Sequence, residues 1–336
     1  MRVFIAGGTG FIGTYLSRFA LERGWQVTLI VRDLQHESAR WLETQGAFLV
    51  EGDITDREGM ASIFQDHKPN VYIHNAGWYE LGISSRQRAA MQRVNVDGLE
   101  NALAAAEAAG VDRIVLTSST TALGDTGGEQ VSEGFRRIKP PLSWYESTLV
   151  EARKIADRYI ARGLPLILGC PAQVIGPGDH SAYGQLFRLY LRRLLPPAVW
   201  APDGAFSFVH VEDTARALVE LVEKGTPGEE YFICGSVMTN REMLSTWAEA
   251  LGRRTRFLWL SYPLAMATGL LAAPFLRLLG KPAFISTEVV RSSYASFRYD
   301  GEKVQQTTGV KLRRAPQAWT DTIQAERKSL LEKKAR

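Results

Sequence analysis

The sequence contains very little cysteine, and this excludes several classes of protein. Cys170 and Cys234 are the two cysteines among 336 residues, too few for a disulfide framework, and neither lies in a Cys/His spacing typical of zinc ligands. We therefore expect free thiols in a reducing compartment, no metal site and a cytoplasmic protein. The apolar start becomes glycine-rich by residue 7, which is not the pattern of a secretory signal peptide.

The sequence also lacks a basic patch interleaved with aromatic residues. The net charge is +4, and much of the excess lies in residues 326–336. Because such a patch is the usual mark of nucleic-acid binding, we expect no nucleic-acid partner.

Charge is missing altogether from one run, Phe257–Leu276, which is twenty residues long. That length approaches what a helix needs to cross a bilayer, although Pro263 and Pro274 interrupt the run. Four interpretations stay open: a membrane span, a helix on the membrane surface, a lid over an apolar substrate, or ordinary core. The surface and lid interpretations both favour a lipophilic substrate, and the first two imply membrane association.

Three glycines at three-residue spacing, Gly7, Gly10 and Gly13, follow the first apolar run and open a helical pattern. Gly7 allows a tight turn, Gly10 lets the backbone approach a pyrophosphate, and Gly13 lets the helix pack on the strand. The amides at the helix start, including those of Phe11 and Ile12, then face the phosphates. This arrangement predicts dinucleotide binding.

Strand-like and helical patterns alternate through the first half of the chain. Apolar runs predict strands at residues 2–6, 26–31, 47–50, 71–74, 113–117 and 165–168. Helical patterns lie between them, at residues 11–23, 57–66, 87–109 and 143–162. Such alternation predicts an α/β fold with a doubly wound parallel (Rossmann) sheet. We assign residues 1–170 to this domain and residues 171–336 mainly to a smaller mixed α/β substrate-binding cap, with some elements returning to the Rossmann core.

The second predicted strand ends at Arg32, and Asp33 follows it. An acidic residue at this tip would bind the ribose 2′-hydroxyl of NAD, whereas an arginine suits the 2′-phosphate of NADP. We therefore predict NADP, with NAD left open because a shift of one residue would place Asp33 at the tip.

Motifs along nearly the whole chain resemble those of the extended short-chain dehydrogenases/reductases. The matching segments include GGTGFIG (7–13), GDITD (52–56), VYIHNAG (71–77), RVNVDGLENAL (93–103), IVLTSSTTALG (114–124) and CPAQVIGPGD (170–179). The chain departs from the family in carrying Cys170 where an arginine is usual. Within the family it looks most like the dihydroflavonol-reductase and 3β-hydroxysteroid-dehydrogenase branch.

The resemblance implies an NADP-dependent oxidoreductase and places particular residues at its site. With the glycine loop and Arg32, the cofactor-binding residues are expected to be Gly7, Gly10, Phe11, Ile12, Gly13, Arg32, Asp53, Ile54, Asn75, Ala76, Gly77, Thr117, Tyr145, Pro171 and Val174. The catalytic hydroxyl of the fifth-strand segment falls on Ser119, with Thr120 as the alternate.

The family's Tyr-x-x-x-Lys motif is incomplete in this chain. Tyr145 is present, but Leu149 stands where the family has its catalytic lysine, and Lys154, nine residues after the tyrosine, lies half a turn out of phase. The resemblance implies that this lysine holds the nicotinamide ribose and lowers the tyrosine pKa. Without it a tyrosinate base is disfavoured by about 4 kcal/mol at pH 7, whereas a neutral phenol still donates a proton. We therefore predict reduction of an apolar ketone or aldehyde, with Tyr145 giving the proton and Ser119 orienting the carbonyl.

Two other functions stay open: a nucleotide-sugar epimerase or dehydratase, and a noncatalytic NADP-binding subunit. A homodimer is a further expectation. His180 lies on a loop near the expected substrate mouth, whereas His74 and His210 are interpreted as structural. The aromatic residues that flank the catalytic segments, and either line an apolar pocket or fill the core, are Trp78, Tyr79 and Trp144.

Overall fold

The computed structural model describes residues 1–253, 256–279 and 283–335. Its strands are, in chain order, β1 (Arg2–Ala6), β2 (Gln26–Val31), β3 (Phe48–Glu51), β4 (Val71–His74), β5 (Arg113–Thr117), β6 (Leu166–Pro171), β7 (Gln173–Ile175), β8 (Ala198–Trp200), β9 (Ala205–His210), β10 (Glu230–Ile233), β11 (Ser236–Thr239), β12 (Leu258–Leu260) and β13 (Ser296–Phe297).

Its α-helices are α1 (Phe11–Glu22), α2 (Glu37–Thr44), α3 (Arg57–His67), α4 (Ser85–Gln92), α5 (Gly98–Ala108), α6 (Trp144–Ala161), α7 (Ala182–Leu191), α8 (Val211–Lys224), α9 (Asn240–Ala250), α10 (Tyr262–Leu278), α11 (Thr287–Ser293), α12 (Glu302–Thr308) and α13 (Ala315–Ala335). A π-helical turn at Arg93–Asp97 joins α4 to α5, and a 3₁₀ turn lies at Thr120–Ala122.

Seven strands form one sheet in the order β3-β2-β1-β4-β5-β6-β10, and every neighbouring pair is parallel. The order reverses between β1 and β4, so a crevice opens there at the carboxyl ends of the strands, where ligands bind in such sheets. The predicted doubly wound α/β fold with an additional C-terminal α/β part is confirmed. The seventh strand, β10, comes from the second half of the chain.

Both faces of this sheet are covered, which explains why its strands read as continuous apolar runs. Val3 and Ile5 of β1 point into a core with α1, α2 and α8, whereas Phe4 and Ala6 point into the opposite core with α3, α5 and α6. The pleat therefore divides one apolar run between two cores.

The remaining strands build a smaller structure beside the main sheet. In it β9 pairs with β7, β11 and β13, and β8 pairs with β12. An aromatic cluster fills its core: Phe187, Trp247 and Trp319 are buried, with ring centroids 5.0 to 5.8 Å apart. This structure lies next to the carboxyl end of β6, because β7 follows that strand after one residue.

The uncharged run Phe257–Leu276 forms β12 and most of α10. Pro263 lies in the first turn of α10, where its missing N–H costs no helical hydrogen bond, whereas Pro274 lies inside the helix. The large side chains of α10 face outward, so the core interpretation is wrong for this helix. Among the described residues, no helix combines the length and apolarity needed to cross a bilayer.

Candidate active site

The glycine loop has the backbone geometry expected of a phosphate cradle. Gly7 has a φ of +79°, and a Cβ there would lie 2.6 Å from the backbone of Asn75 and Ala76. A Cβ at Gly13 would lie 1.9 Å from the Gly7 carbonyl oxygen, so helix and loop touch directly. Gly10 is different, because a Cβ there would meet only that carbonyl, at 3.5 Å; the space in front of it is open to a ligand.

The start of α1 offers unpaired amides to that space. Gly10 is the N-cap and has no side chain to cap the helix, and the first turn contains no acidic residue. The earliest helical bond runs from Thr14 N–H to the Gly10 carbonyl, at 2.9 Å. The amides of Phe11, Ile12 and Gly13 therefore lack helical acceptors, as at any helix start, and suit a pyrophosphate.

Two orphaned polar atoms next to the crevice also fit a bound dinucleotide. Within the described residues, Asn75 Oδ1 and Thr117 Oγ1 are buried without a hydrogen-bond partner, whereas Asn75 Nδ2 donates to the Gly7 carbonyl at 3.1 Å. These residues end or directly follow β4 and β5, where the sequence places the cofactor. Because buried polar atoms rarely stay unpaired, a polar ligand is the natural partner here.

At the expected adenine end, Asp53 and Asp33 accept local hydrogen bonds and Ile54 is buried, whereas Arg32 is free of partners in the described part of the chain. Asp53 Oδ1 accepts from the N–H and hydroxyl of Thr55, at 2.8 and 2.9 Å, and Asp33 Oδ1 accepts from the Gln35 N–H at 2.8 Å. Ile54 is buried. Arg32 is exposed and has no ion pair or hydrogen bond from its guanidinium among the described residues, which leaves it available to an anion.

The hydroxyl residues after β5 differ in their surroundings. Ser119 Oγ accepts from the Thr121 N–H at 3.1 Å, and Thr120 is 2% exposed and donates to the Pro171 carbonyl at 3.4 Å. Of these three hydroxyl residues it is Thr121 that lines a cavity. The sequence analysis missed Thr121, although it belongs to the same Ser-Ser-Thr-Thr run.

Tyr145 lies in the first turn of α6 and faces the same cavity as Thr121. Its ring meets the Tyr79 ring edge-on, with centroids 4.9 Å apart. Its hydroxyl has no hydrogen-bond partner in the part of the chain that the structure describes, and burial raises the Tyr145 pKa well above its ordinary value. The phenol is therefore held neutral and free to bond a ligand.

The π-helical turn holds helix α6 in position. Asn95 Nδ2 donates to Thr148 Oγ1 and to the Trp78 carbonyl, both at 3.0 Å, and Asn95 Oδ1 accepts from the Trp78 N–H at 2.7 Å. Thr148 in turn donates to the Tyr145 carbonyl at 2.7 Å. Asn95 thus connects the chain after β4 to α6. This contact explains why a π-helical turn interrupts the region 87–109, which the sequence predicted as one continuous helix. Such turns often occur at functional sites.

Two neighbouring cavities lie between the main sheet and the C-terminal part. The cavity at Tyr145 measures about 60 Å³ and is lined by Tyr79, Leu81, Thr121, Ser143, Tyr145, Glu146, Gln173, Ala182, Tyr183, Leu186, Phe206, Val289, Ser292, Ser293 and Phe297. The other measures about 180 Å³ and is lined by Tyr79, Glu80, Leu81, His180, Ala182, Gln185 and Phe284. Neither lining contains a lysine or arginine among the residues that the structure describes. The remaining expected cofactor residues, Ala76, Gly77, Pro171 and Val174, line neither of these two cavities, whereas Gln173, next to Val174, lines the smaller one.

Three of the five histidines, His74, His180 and His210, have different surroundings. His74 is buried with its ring nitrogen 2.7 Å from the Tyr72 hydroxyl, and burial lowers its pKa to about 4. His210 caps α8 by accepting from the Glu212 N–H at 3.3 Å. His180 lines the larger cavity, and its ring lies 6.1 Å from that of Phe11, next to the glycine loop.

Comparisons with known proteins identify the family and the fold. The sequence model of the NAD dependent epimerase/dehydratase family matches residues 3–234. A putative dihydroflavonol 4-reductase of Synechocystis is 27% identical over 339 residues, which cover 95% of this chain and 93% of that protein. A 3β-hydroxysteroid dehydrogenase/Δ5→4-isomerase of Mycobacterium tuberculosis is 29% identical over 269 residues, covering 75% and 70%. The fold matches that of UDP-glucose 4-epimerase from Thermotoga maritima, with a TM-score of 0.77 at 21% identity over 98% of this chain and 100% of that one.

Proposed function

This chain belongs to the NAD-dependent epimerase/dehydratase family, and on that premise we propose that it is an NADPH-dependent reductase of an apolar ketone or aldehyde. Its relatives are named reductase and dehydrogenase, and it is an oxidoreductase of the same superfamily. The observation that carries the proposal is the Tyr145 phenol, which faces a cavity without a protein partner among the described residues and keeps its proton.

The cofactor is NADP in this proposal. The open space at Gly10, the free amides of α1 and the orphaned Asn75 and Thr117 oxygens fit a dinucleotide, and exposed Arg32 suits a 2′-phosphate. When bound, NADPH supplies the hydride. The chain itself has to orient the carbonyl, protonate its oxygen and exclude water.

Tyr145 acts as general acid. A neutral phenol donates its proton to the carbonyl oxygen as negative charge develops there, and no prior ionisation is needed. Ser119 and Thr121 orient the carbonyl: the Thr121 hydroxyl lies in the cavity wall, and Ser119 Oγ fixes the Thr121 backbone N–H. Leu149 leaves the tyrosine without the neighbouring ammonium that would favour its ionised form.

The residues that line the two cavities suit an apolar substrate. Aromatic and aliphatic side chains form most of the smaller cavity, and the absence of lysine and arginine from both linings of the described residues gives a sugar diphosphate no cation there. A few polar groups in a mainly apolar site are what a small lipophilic carbonyl compound needs for binding and orientation.

The test measures NADPH oxidation by the purified chain against a panel of apolar ketones and aldehydes, with UDP-glucose as a separate arm. We expect turnover of at least one apolar carbonyl compound, and the variant Tyr145→Phe should lower kcat by about 10²- to 10⁴-fold while NADPH binding is kept. Tyr79→Phe is the matched control, because it removes the hydroxyl of the neighbouring tyrosine in the same cavity. NADPH that binds but is never consumed would make the chain a binding subunit, and conversion of UDP-glucose would make it a sugar enzyme.

A further inference from the structure

Helix α10 turns its large apolar residues away from the protein. Its buried positions are the small residues Ala265, Gly269 and Ala273, spaced four apart on one face. A Cβ at Gly269 would lie 2.7 Å from the backbone of Ser286, so this face packs closely on the segment that leads into α11. The pattern is the reverse of an ordinary surface helix, whose apolar stripe faces the core.

Large side chains occupy the solvent face of α10. They are, with their exposed fractions, Leu264 at 57%, Leu270 at 65%, Leu271 at 75%, Phe275 at 61% and Leu278 at 84%. Leu264, Leu271 and Leu278 recur every seven residues and therefore lie along one line of the helix. The single charged residue of α10, Arg277, donates to the Gly82 carbonyl instead of covering this line.

Two further exposed leucines lie in neighbouring segments: Leu194 precedes β8, and Leu258 belongs to β12, which precedes α10. Leu194 is 64% exposed and Leu258 is 65% exposed. Leu258 N–H donates to the Pro197 carbonyl at 2.8 Å, and the strand that follows Pro197, β8, contacts α10. We call these two leucines and the five α10 side chains the apolar face; monomeric proteins rarely expose a large apolar patch without a function.

The chain segments that present the apolar face contain charge of one sign. Residues 180–202 and 250–287 contain 8 of the 40 lysines and arginines and none of the 36 acidic residues. The rest of the chain, with 32 basic and 36 acidic residues, therefore has a net charge of −4. Arg192, Arg193 and Arg256 are exposed and have no ion-pair partner among the described residues. These two segments, which present the apolar face, therefore have a net charge of +8.

We propose that the apolar face docks the protein onto a membrane surface that contains anionic lipids. α10 lies in the plane of the interface, with its leucines and Phe275 among the upper acyl chains and the arginines at the lipid phosphates. Charge complementarity favours this partner over a second copy of the chain, because joining two apolar faces would bring arginines of like charge together.

The experiment measures partitioning of the full chain onto phosphatidylcholine vesicles with and without about 30 mol% phosphatidylglycerol. We expect binding to the anionic vesicles that weakens as salt rises from about 0.1 M to about 1 M. Leu271→Glu should weaken partitioning at least about tenfold, because it places a charge in the acyl region. The double variant Arg192→Glu, Arg193→Glu should lower it by about fivefold for each arginine removed.

Matched variants distinguish binding through the apolar face from nonspecific adsorption to the vesicles. Phe48→Glu changes a side chain that is 65% exposed on the edge strand β3, and Arg327→Glu with Lys328→Glu removes equal charge from the basic end of α13; both should partition like the unchanged protein. Tm and NADPH binding report whether each variant is folded. The proposal is overturned if vesicles bind none of the proteins, if the controls lose as much affinity as Leu271→Glu, or if sedimentation shows a dimer that Leu271→Glu dissociates without any vesicle binding.

Discussion

Arg137 and Glu146 form a salt bridge of 2.7 Å that ties the segment after β5 to the first turn of α6. Their side chains are 17% and 2% exposed. The same guanidinium donates to the carbonyls of Thr121 and Ala122, at 2.9 and 3.1 Å. Because Thr121 and Glu146 both line the cavity at Tyr145, this pair holds two parts of one wall together.

Replacing Arg137 by methionine should destabilise the protein strongly. Glu146 would keep its buried carboxylate without a counter-ion, so we expect the free energy of unfolding to fall by about 3 to 5 kcal/mol. Denaturant unfolding measures this loss. Arg158→Met is the control, because Arg158 and Glu100 are 62% and 48% exposed at 3.0 Å and such pairs contribute about 0 to 1 kcal/mol. Equal losses in the two variants would contradict a special role for the buried pair.

The absence of the lysine should affect how kcat/KM depends on pH in both reaction directions. At a given pH the ratio of forward to reverse kcat/KM equals the equilibrium constant, so no residue can favour one direction by that measure. What Tyr145 determines is the pH at which its active form is lost. Since burial raises the Tyr145 pKa, kcat/KM for reduction should stay level up to about pH 9, while kcat/KM for alcohol oxidation rises about tenfold per pH unit.

Leu149→Lys should change that profile. The new ammonium would stand one helical turn from Tyr145 and stabilise its ionised form, so oxidation should level off and reduction should begin to fall at a lower pH. Leu149→Met, which keeps the size and lacks the charge, should follow the unchanged protein. A plateau in oxidation near pH 7 without any added lysine would contradict the assignment of a neutral phenol.

Asp179 should make the stability fall between acid and neutral pH. Burial raises its pKa from 3.8 to about 6, although Ser181 donates to both carboxylate oxygens. A raised acid pKa contributes stability that is complete below about pH 4 and is lost as the pH rises through about 6. Asp179→Asn avoids that loss, so its free energy of unfolding relative to the unchanged protein should rise by about 3 kcal/mol from pH 4 to pH 7. Asp203→Asn, at a side chain that is 88% exposed, should show no such rise.

The main sheet could be predicted because its signals are local. Strands β1, β2, β4 and β5 have the predicted bounds, since each is a short apolar run between glycine-rich turns and helical patterns. The seventh strand, β10, was not assigned to this sheet, because it lies in the second half of the chain, where strands and helices no longer alternate regularly, and returns to pair with β6. The π-helical turn was also missed, because Asn95 interrupts the helix to bind Trp78, a contact made by the tertiary fold.

The site was predictable where backbone geometry requires a residue type, and less so where side chains meet from distant segments. Gly7 and Gly13 fall where any Cβ would collide with backbone, so their spacing carried the information. Arg137 stood in a loop with no motif, and its contact with Glu146 depends on how that loop folds over α6. Ser119 and Thr121 have the same chemistry two residues apart, and the turn between them decides which one lines the cavity.

Arg32 should set the choice of cofactor. Its guanidinium has no protein partner in the described part of the chain, whereas the neighbouring Asp33 carboxylate accepts from the Gln35 N–H at 2.8 Å and closes a local turn. A charged hydrogen bond to the 2′-phosphate is worth about 1.5 to 3 kcal/mol, so Arg32→Ala should raise the Kd for NADPH by about 10- to 150-fold and leave the Kd for NADH unchanged. Arg40→Ala, which removes an exposed arginine already paired with Glu43, should alter neither constant. Fluorescence titration with both cofactors measures this, and equal weakening of NADH and NADPH in Arg32→Ala would assign the arginine to the fold or to the shared part of the cofactor.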